Sequence, residues 1–196
     1  MCGLIGYSGD FEEHNLKAGL LAINHRGPDD SGVFFNETSN IGLGHNRLSI
    51  QDLSPLGHQP MASDDGKVVL VFNGEIYNFK DLRKELIDKG YQFRGNSDTE
   101  VLLNLYFAEG EKMLDRLNGI FVFALFDSRS GAIFIARDRF GVKPLYFSET
   151  KEGFSFSSEI KGLRYLVPGE SDLDLESLNR YASFLWCPGE GTPLKN

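Results

Sequence analysis

The chain contains very little cysteine, since only Cys2 and Cys187 occur among its 196 residues. Two thiols near opposite ends of a chain do not form the disulfide framework that holds small secreted domains together. An apolar run of about 20 residues, which a membrane-spanning helix needs, is also missing. The first residues lack the basic start and long apolar core of a signal peptide. These absences predict a cytoplasmic protein with reduced thiols and no membrane partner.

Positive charge is also sparse. The 20 basic residues are outnumbered by 28 acidic ones, the net charge is -8, and the Lys and Arg residues are scattered singly. A nucleic acid would meet no basic stripe that could neutralise its phosphates, so we expect no nucleic acid partner. His14, His25, His45 and His58 are too dispersed for a metal site and have no carboxylates at ligand spacing, so we predict no metal.

What the sequence does contain is a series of short apolar segments separated by its 22 glycines. These segments are rich in Val, Ile, Phe and Tyr and are flanked by turn residues, which is typical of strands. Residues 68–72 and 119–127 are almost continuously apolar, as in strands that are covered on both faces. The predicted strands are residues 2–8, 33–35, 41–50, 67–73, 119–127, 132–137, 144–148 and 153–158.

Helical periodicity appears in four further segments. Asn78 is suited to begin one of them and Gly90 to end it, while Ser97 and Glu100 have the spacing of a capping box. Strands covered on both faces together with these helices predict a layered body of helices and sheets. The predicted helices are residues 14–24, 78–90, 97–110 and 172–185.

Cys2 directly follows the initiator methionine, and this position has two interpretations. A small apolar residue packs well, so Cys2 could have a structural role only. If Met1 is removed, however, the thiol and a free α-amine share one residue. An α-amine has a pKa of about 7.7 to 8.0 and is therefore partly unprotonated at neutral pH, so an N-terminal cysteine carries its own general base.

Three other stretches offer groups that a nucleophile would need. Arg47 could clamp a carboxylate with two hydrogen bonds, although a surface arginine beside a strand looks the same in sequence. Asn73 and Gly74 could form an oxyanion hole, although Asn-Gly is also a common turn. Asp98, in the first turn of a predicted helix, could hold an ammonium group. Its carboxylate could also be there only because the helix dipole favours a negative charge.

Eight segments, in this order and spacing, resemble the N-terminal glutaminase domain of glutamine-dependent asparagine synthetases, over essentially all 196 residues. Each motif is weak alone, and the eight in register are specific. The resemblance implies a class II glutamine amidotransferase with the N-terminal nucleophile (Ntn) hydrolase fold. This is an α+β fold, a four-layer αββα sandwich of two mainly antiparallel sheets covered by helices. The segments are MCGLIGYSG, HRGPDDSG, GHNRLSIQD, FNGEIYN, SDTE, LNGIFVFALFD, RDRFGVKPLYF and SSEIKGL.

The resemblance also implies a role for each site residue. The Cys2 thiolate would attack the side-chain amide of glutamine, and water would then release glutamate from the thioester. Asn73 and the Gly74 N–H would form the oxyanion hole, and Arg47 would clamp the α-carboxylate of glutamine. Asp98 and Glu75 would meet its α-amine, while Leu48 and Ile50 would supply backbone or wall contacts. RDRFGVKPLYF and SSEIKGL are expected to be structural or domain-facing rather than catalytic.

Residues 1–185 are expected to form the glutamine amidotransferase domain, and residues 186–196 the start of a linker. Full members of the family continue into an ATP-pyrophosphatase synthetase domain, and its SGGxDS loop is not found in this sequence. We therefore expect glutamine as the substrate and no cofactor in this chain, with ATP and Mg²⁺ needed only by a C-terminal or separate synthetase domain. The sequence leaves open whether the protein forms a homodimer.

The acceptor of the ammonia is less certain than its donor. The GHNRLSI strand favours the asparagine synthetase branch over amidotransferases of amino-sugar and purine synthesis, which usually carry a His-Thr-Arg-Trp strand. Amidation in bacterial surface polysaccharide or amino-sugar pathways remains an alternative. A further alternative is an inactive binding or regulatory copy of the domain. An Ntn hydrolase for another amide is disfavoured, because such a substrate would leave Arg47 and Asp98 unmatched.

Overall fold

The computed structural model describes residues 1–167, 169, 172–189 and 191–195. The chain divides into two compact units, Met1–Leu166 and Val167–Asn196. The division lies earlier than the predicted start of the linker at residue 186, and that domain boundary stays a prediction. Every residue of the first unit is described, and this unit contains all the residues to which a functional role was assigned.

The first unit contains nine strands in two sheets, and every pairing is antiparallel. The first sheet has the order β2-β3-β1-β9-β8 and the second the order β4-β5-β6-β7. The strands are β1 (Gly3–Gly9), β2 (Asp30–Asn36), β3 (Ile41–Arg47), β4 (Met61–Ala62), β5 (Val68–Ile76), β6 (Gly119–Asp127), β7 (Ala132–Arg137), β8 (Tyr146–Thr150) and β9 (Gly153–Ser157).

Helices cover the outer face of each sheet. Helices α1 (Glu13–Ala22) and α4 (Ile160–Leu166) pack on each other and on the first sheet, and α3 (Asp98–Glu109) packs on β5 and on α2 (Phe79–Asp88). One apolar core lies between the second sheet and its helices, and another lies between the two sheets. This arrangement confirms the predicted α+β fold.

The apolar runs of the sequence explain which strands lie in the middle. Along β5, Leu70 and Phe72 face the core under α2 and α3, while Val69 and Val71 face the core between the sheets. Because successive side chains of a strand point to opposite faces, a continuous apolar run is expected where apolar layers cover both faces of a strand. The continuous runs therefore predicted correctly that β5 and β6 are covered on both sides.

Two strand ends differ from the sequence prediction, and both matter for the site. β3 ends at Arg47, so the following residues Leu48, Ser49 and Ile50 lie in a loop instead of the strand predicted to include them. β5 continues through Asn73 and Gly74 to Ile76, so this Asn-Gly pair lies inside a strand and does not form a turn. Pairing with β6 across its full length keeps β5 extended there, which overrides the local preference for a turn.

The predicted helix caps are only partly present. The hydroxyl of Ser97 accepts a hydrogen bond from the Glu100 N–H at 3.2 Å, as a capping residue does. The Glu100 carboxylate instead accepts from the N–H groups of Arg94 and Gly95, which precede the helix. Asn78 makes no capping bond, because its amide is engaged by Arg116 and Asn118. Partners outside the helices replace these capping bonds.

The second unit contains the helix α5 (Leu175–Phe184). The carboxylate of Asp174 accepts a hydrogen bond from the Glu176 N–H at 3.1 Å and so caps its first turn. The Cys187 thiol lies 3.6 Å from the carbonyl of Ser177 and is partly buried. In both units, none of the helices among the described residues combines the length and the apolar character that a membrane crossing requires.

Candidate functional site

A cavity of about 120 Å³ opens where the start of β1, the end of β3 and the middle of β5 meet. All eight residues to which the sequence assigned a role line this cavity, although they lie up to 96 positions apart in the chain. These residues are Cys2, Arg47, Leu48, Ile50, Asn73, Gly74, Glu75 and Asp98.

Cys2 lies one residue before β1 and is held from two sides. Its sulfur accepts a hydrogen bond from the Leu48 N–H at 3.4 Å and lies 3.7 Å from the Leu48 carbonyl. The carbonyl of Cys2 accepts a hydrogen bond from Nε of Arg26 at 3.0 Å. The loop that follows β3 therefore holds the sulfur. Arg26, in the turn that follows α1, holds the backbone of Cys2. The contribution of Leu48 to the site is thus made by its backbone.

The edge of β5 that faces away from β6 is available to the cavity. The N–H of Phe72 donates to Oε1 of Gln59 at 2.7 Å, and the N–H of Ile76 donates to Oδ2 of Asp98 at 3.1 Å. In a strand, residues two apart point their backbone groups to the same edge. Gly74 lies midway between these two residues and lines the cavity, so its N–H points toward the cavity between Gln59 and Asp98.

Asn73 supplies a second donor beside Gly74. Its side chain is 2% exposed, and its Nδ2 is buried without a hydrogen-bond partner among the described residues. A buried amide N–H₂ without a partner costs free energy, so such a group in a cavity indicates a ligand that supplies the acceptor. The glycine that follows is required for packing as well, because a Cβ at position 74 would lie 2.7 Å from Cα of Phe121.

Arg47 is buried, with 7% of its surface exposed, and its guanidinium is held by the loop that follows β3. It donates to the carbonyls of Ser54 at 3.1 Å, Gln51 at 3.4 Å and Asp52. These three acceptors can engage three of the five N–H donors of a guanidinium. Gly57 packs directly on the guanidinium, where any Cβ would collide with it. The positive charge is therefore fixed in the wall of the cavity.

Asp98 is the first residue of α3 and is 4% exposed. Burial raises the pKa of its carboxyl from 3.8 to about 6, and the negative charge of nearby Glu75 acts in the same direction. The hydrogen bond from the Ile76 N–H opposes this increase but does not cancel it. A carboxylate whose ionised form is disfavoured by burial gains from a cation placed beside it. Asp98 is thus arranged to receive a positively charged group.

Glu75 and Ile50 line the cavity from its exposed rim. Glu75 is exposed, and its carboxylate accepts a hydrogen bond from Nε2 of Gln51 at 3.4 Å. Ile50 is 74% exposed, so it contributes at most a small part of the wall. These two residues are therefore less constrained by the fold than Arg47 and Asp98.

The structure adds residues to the cavity that the sequence did not indicate. Gln59 and Thr99 line it, with Gln59 Nε2 donating to the Thr99 hydroxyl at 3.4 Å. Lys143 also lines it and is 8% exposed, with its Nζ 3.4 Å from the sulfur of Met1. RDRFGVKPLYF, expected to be structural or domain-facing, thus contributes one charged residue to the site. No local pattern marks Lys143, because its position depends on long-range packing.

The described residues contain no group of three or more His, Cys, Asp or Glu side chains that could hold a metal ion. The charged and polar groups around the cavity include a thiol, a guanidinium, the ammonium group of Lys143, a buried and an exposed carboxylate, and the donors of Asn73 and Gly74. Together they can bind a small zwitterion and stabilise an oxyanion beside a nucleophile.

Known proteins share both the sequence and the fold. A family model for the glutamine amidotransferase domain matches residues 1–196. The glutamine-hydrolysing asparagine synthetase 1 of Bacillus subtilis is 38% identical over 98% of this chain. A putative glutamine-hydrolysing asparagine synthetase of Methanocaldococcus jannaschii is 35% identical over 100% of this chain. The chain spans 31% and 42%, respectively, of these two relatives.

A solved structure agrees on the fold. The glutamine phosphoribosylpyrophosphate amidotransferase of B. subtilis, solved with ADP and GMP, superposes with a TM-score of 0.72 at 22% identity. The match covers 85% of this chain and 44% of that protein. At this identity the likeness concerns the fold alone, and it agrees with the Ntn-hydrolase sandwich expected from the sequence. The sequence match over the whole chain shows that it belongs to the family of glutamine amidotransferase domains.

Proposed function

We propose that this domain hydrolyses the side-chain amide of glutamine to glutamate and ammonia, with Cys2 as the nucleophile after removal of Met1. One observation supports this proposal most strongly. A single small cavity combines the Cys2 thiol with a fixed guanidinium, from Arg47, and a buried carboxylate, from Asp98. A free amino acid carries one carboxylate and one ammonium group, so it would satisfy both charges at once.

The chemistry follows from the positions of the groups. The α-amine of Cys2 takes the thiol proton, and the sulfur attacks the carbonyl carbon of the glutamine amide. The negative oxygen of the tetrahedral intermediate accepts hydrogen bonds from Nδ2 of Asn73 and the N–H of Gly74. The proton passes to the amide nitrogen, the C–N bond breaks and ammonia leaves.

Water completes the reaction. With the same α-amine as general base, a water molecule adds to the thioester, the C–S bond breaks and glutamate is released. Retention of Met1 would turn this amine into an amide nitrogen and remove the base. Asn73 and Gly74 act as donors in both steps, since both pass through a tetrahedral oxyanion.

The ammonia is proposed to serve the synthesis of asparagine in a longer protein or complex. The relatives are named for asparagine synthesis and are two to three times as long as this chain. In this proposal ATP and Mg²⁺ act in a synthetase domain outside the chain, and the domain described here needs no cofactor. Aspartate would then be the acceptor of the ammonia.

The proposal is tested by glutamate release from glutamine, measured with the purified protein after its intact mass has shown the state of Met1. We expect Met1 to be absent, and Cys2→Ala to release no glutamate above background. Cys187→Ala is the matched control, since it removes the other free thiol and is expected to keep the parent rate. A Cys2→Ala protein that still released glutamate at the parent rate would remove the thiol from the mechanism.

A further inference from the structure

His45 lies in β3, is completely buried and makes a hydrogen bond between the two sheets. Its Nε2 is 2.9 Å from the carbonyl oxygen of Phe72 in β5. The other contacts in the core between the sheets are apolar, with side chains such as Leu43 and Val71 packed together. Apolar contacts tolerate sliding, whereas a hydrogen bond fixes both a distance and a direction.

The protonation state of His45 follows from this partner. A carbonyl oxygen only accepts hydrogen bonds, so Nε2 carries the hydrogen and Nδ1 is the unprotonated nitrogen. Burial lowers the pKa of the imidazole to about 4, which keeps the ring neutral at ordinary pH. Nδ1 is buried without a partner among the described residues. The ring thus donates one hydrogen bond from Nε2 to Phe72, and Nδ1 makes none with the described residues.

The carbonyl that His45 holds belongs to the peptide group that joins Phe72 to Asn73. The N–H of Phe72 is held as well, because it donates to Oε1 of Gln59 at 2.7 Å. β4 pairs with β5 only at Leu70 and Val69, so beyond them these two side chains replace a neighbouring strand. They fix the edge of β5 immediately before Asn73, whose side-chain amide faces the cavity together with the N–H of Gly74.

His45 is also tied to the strand that directly follows the proposed nucleophile. In the pairing of β1 with β3, His45 lies opposite Leu4, two residues after Cys2. A short connection therefore runs from Cys2 along β1 to His45 and across to the Phe72–Asn73 peptide. The two halves of the site come from different sheets, and this bond sets their separation.

We propose that His45 is a positioning residue that holds the Phe72–Asn73 peptide, and with it the Asn73 amide and the Gly74 N–H, at the correct place relative to the Cys2 sulfur. The inference rests on the proposed glutaminase function and adds a residue that does not touch the substrate. Gln59 holds the preceding peptide group by accepting a hydrogen bond from the Phe72 N–H, and loss of Gln59 is expected to have a similar but separate effect.

The test compares two substitutions at position 45. His45→Phe keeps a ring of similar size but cannot donate, and His45→Gln keeps an N–H donor near the position of Nε2. We expect His45→Phe to lower kcat for glutamine hydrolysis by about 10- to 100-fold with KM changed less than about threefold, because misplaced oxyanion donors act on the transition state. His45→Gln should recover kcat to within about fivefold of the parent.

A second measurement separates positioning from unfolding. Alkylation of Cys2 by iodoacetamide passes through no oxyanion, so its rate should be the same in the parent and in His45→Phe. Leu43→Val, on the same face of the same strand, is the control for a general loss of packing and should keep kcat. A stability loss in His45→Phe equal to that of Leu43→Val, together with the lower kcat, would support the proposal.

Two results would overturn the proposal. One is a folded His45→Phe protein with the parent kcat, and the other is a His45→Gln protein as impaired as His45→Phe. Failure of the underlying function looks different, because the parent protein itself would then release no glutamate. The parent assay therefore decides the function, and the variants decide the role of His45.

Discussion

The two charged ends of the cavity are built in opposite ways. At one end, three backbone carbonyls of a single loop surround the guanidinium of Arg47, and Gly57 leaves room for it. At the other end, burial destabilises the ionised form of the Asp98 carboxyl despite backbone N–H donors, of which Ile76 is the foremost, and Glu75 adds a nearby negative charge. The positive end is stabilised by the protein itself, whereas the negative end is incomplete.

This difference indicates how the site discriminates between ligands. A carboxylate meets an arginine that is already oriented, so little rearrangement is needed to bind it. An ammonium group gains more, because it relieves a buried carboxylate whose charge is otherwise poorly compensated. Binding at the Asp98 end should therefore depend on pH, and binding at the Arg47 end should depend on the loop.

Removal of Arg47 should have the largest effect. Arg47→Ala is expected to lower kcat/KM for glutamine at least about 100-fold, because it deletes the proposed buried partner of the substrate carboxylate. It also leaves the carbonyls of residues 51, 52 and 54 without their donor, so the loop should be cleaved faster in limited proteolysis. Arg129→Lys, at a half-exposed arginine outside the cavity lining that pairs with the buried Asp127, is the control and should change neither. An intact loop with normal kcat/KM would contradict the assignment.

Removal of the charge on Asp98 should reduce function but increase stability. Asp98→Asn keeps an oxygen for the Ile76 N–H, and we expect KM for glutamine to rise about 10- to 100-fold through loss of one charged hydrogen bond. Because burial raises the pKa above 3.8 to about 6, the contribution of Asp98 to stability is present below pH 4 and is lost as the pH rises through 6.

The stability arm of this prediction has a definite sign. Asp98→Asn should increase the free energy of unfolding at pH 8 by up to about 3 kcal/mol, and the gain should disappear near pH 4. Urea denaturation at both pH values measures it. A variant that is less stable than the parent at pH 8 would show that Asp98 is already compensated and would remove the contrast with Arg47.

The pH dependence of ligand binding should be the smallest of the three effects. Glutamine affinity of the Cys2→Ala protein, measured by calorimetry, is expected to fall about tenfold from pH 7 to pH 5 as Asp98 is protonated, since its pKa lies at about 6. Use of Cys2→Ala avoids turnover during the measurement. The double variant with Asp98→Asn should show a flat profile. A flat profile for Cys2→Ala alone would mean that the Asp98 carboxyl does not titrate between pH 5 and pH 7.

The sequence identified the candidate residues that line the cavity because eight motifs resemble one family in register, although each motif is weak alone. Cys2 is marked by its position after Met1, and Asp98 by the capping pattern at the start of a helix. His45 was treated only as one of four dispersed histidines. A signal for it was present, since Leu43, His45 and Arg47 alternate along one strand and therefore share a face. What that face contacts is a property of the second sheet.

The sequence by itself indicated most of the apolar strands and helices, the charges and a candidate nucleophile, because these depend on residue type and on spacing of two to four positions. Only the tertiary structure decided that Asn73 and Gly74 continue a strand, that Glu100 binds the segment before its helix, and that Lys143 and Gln59 reach the cavity. Most of these outcomes depend on a partner far along the chain, whereas Glu100 binds residues only five and six positions before it, and no capping pattern encodes either arrangement. Burial of Asp98 is likewise a property of the packed domain.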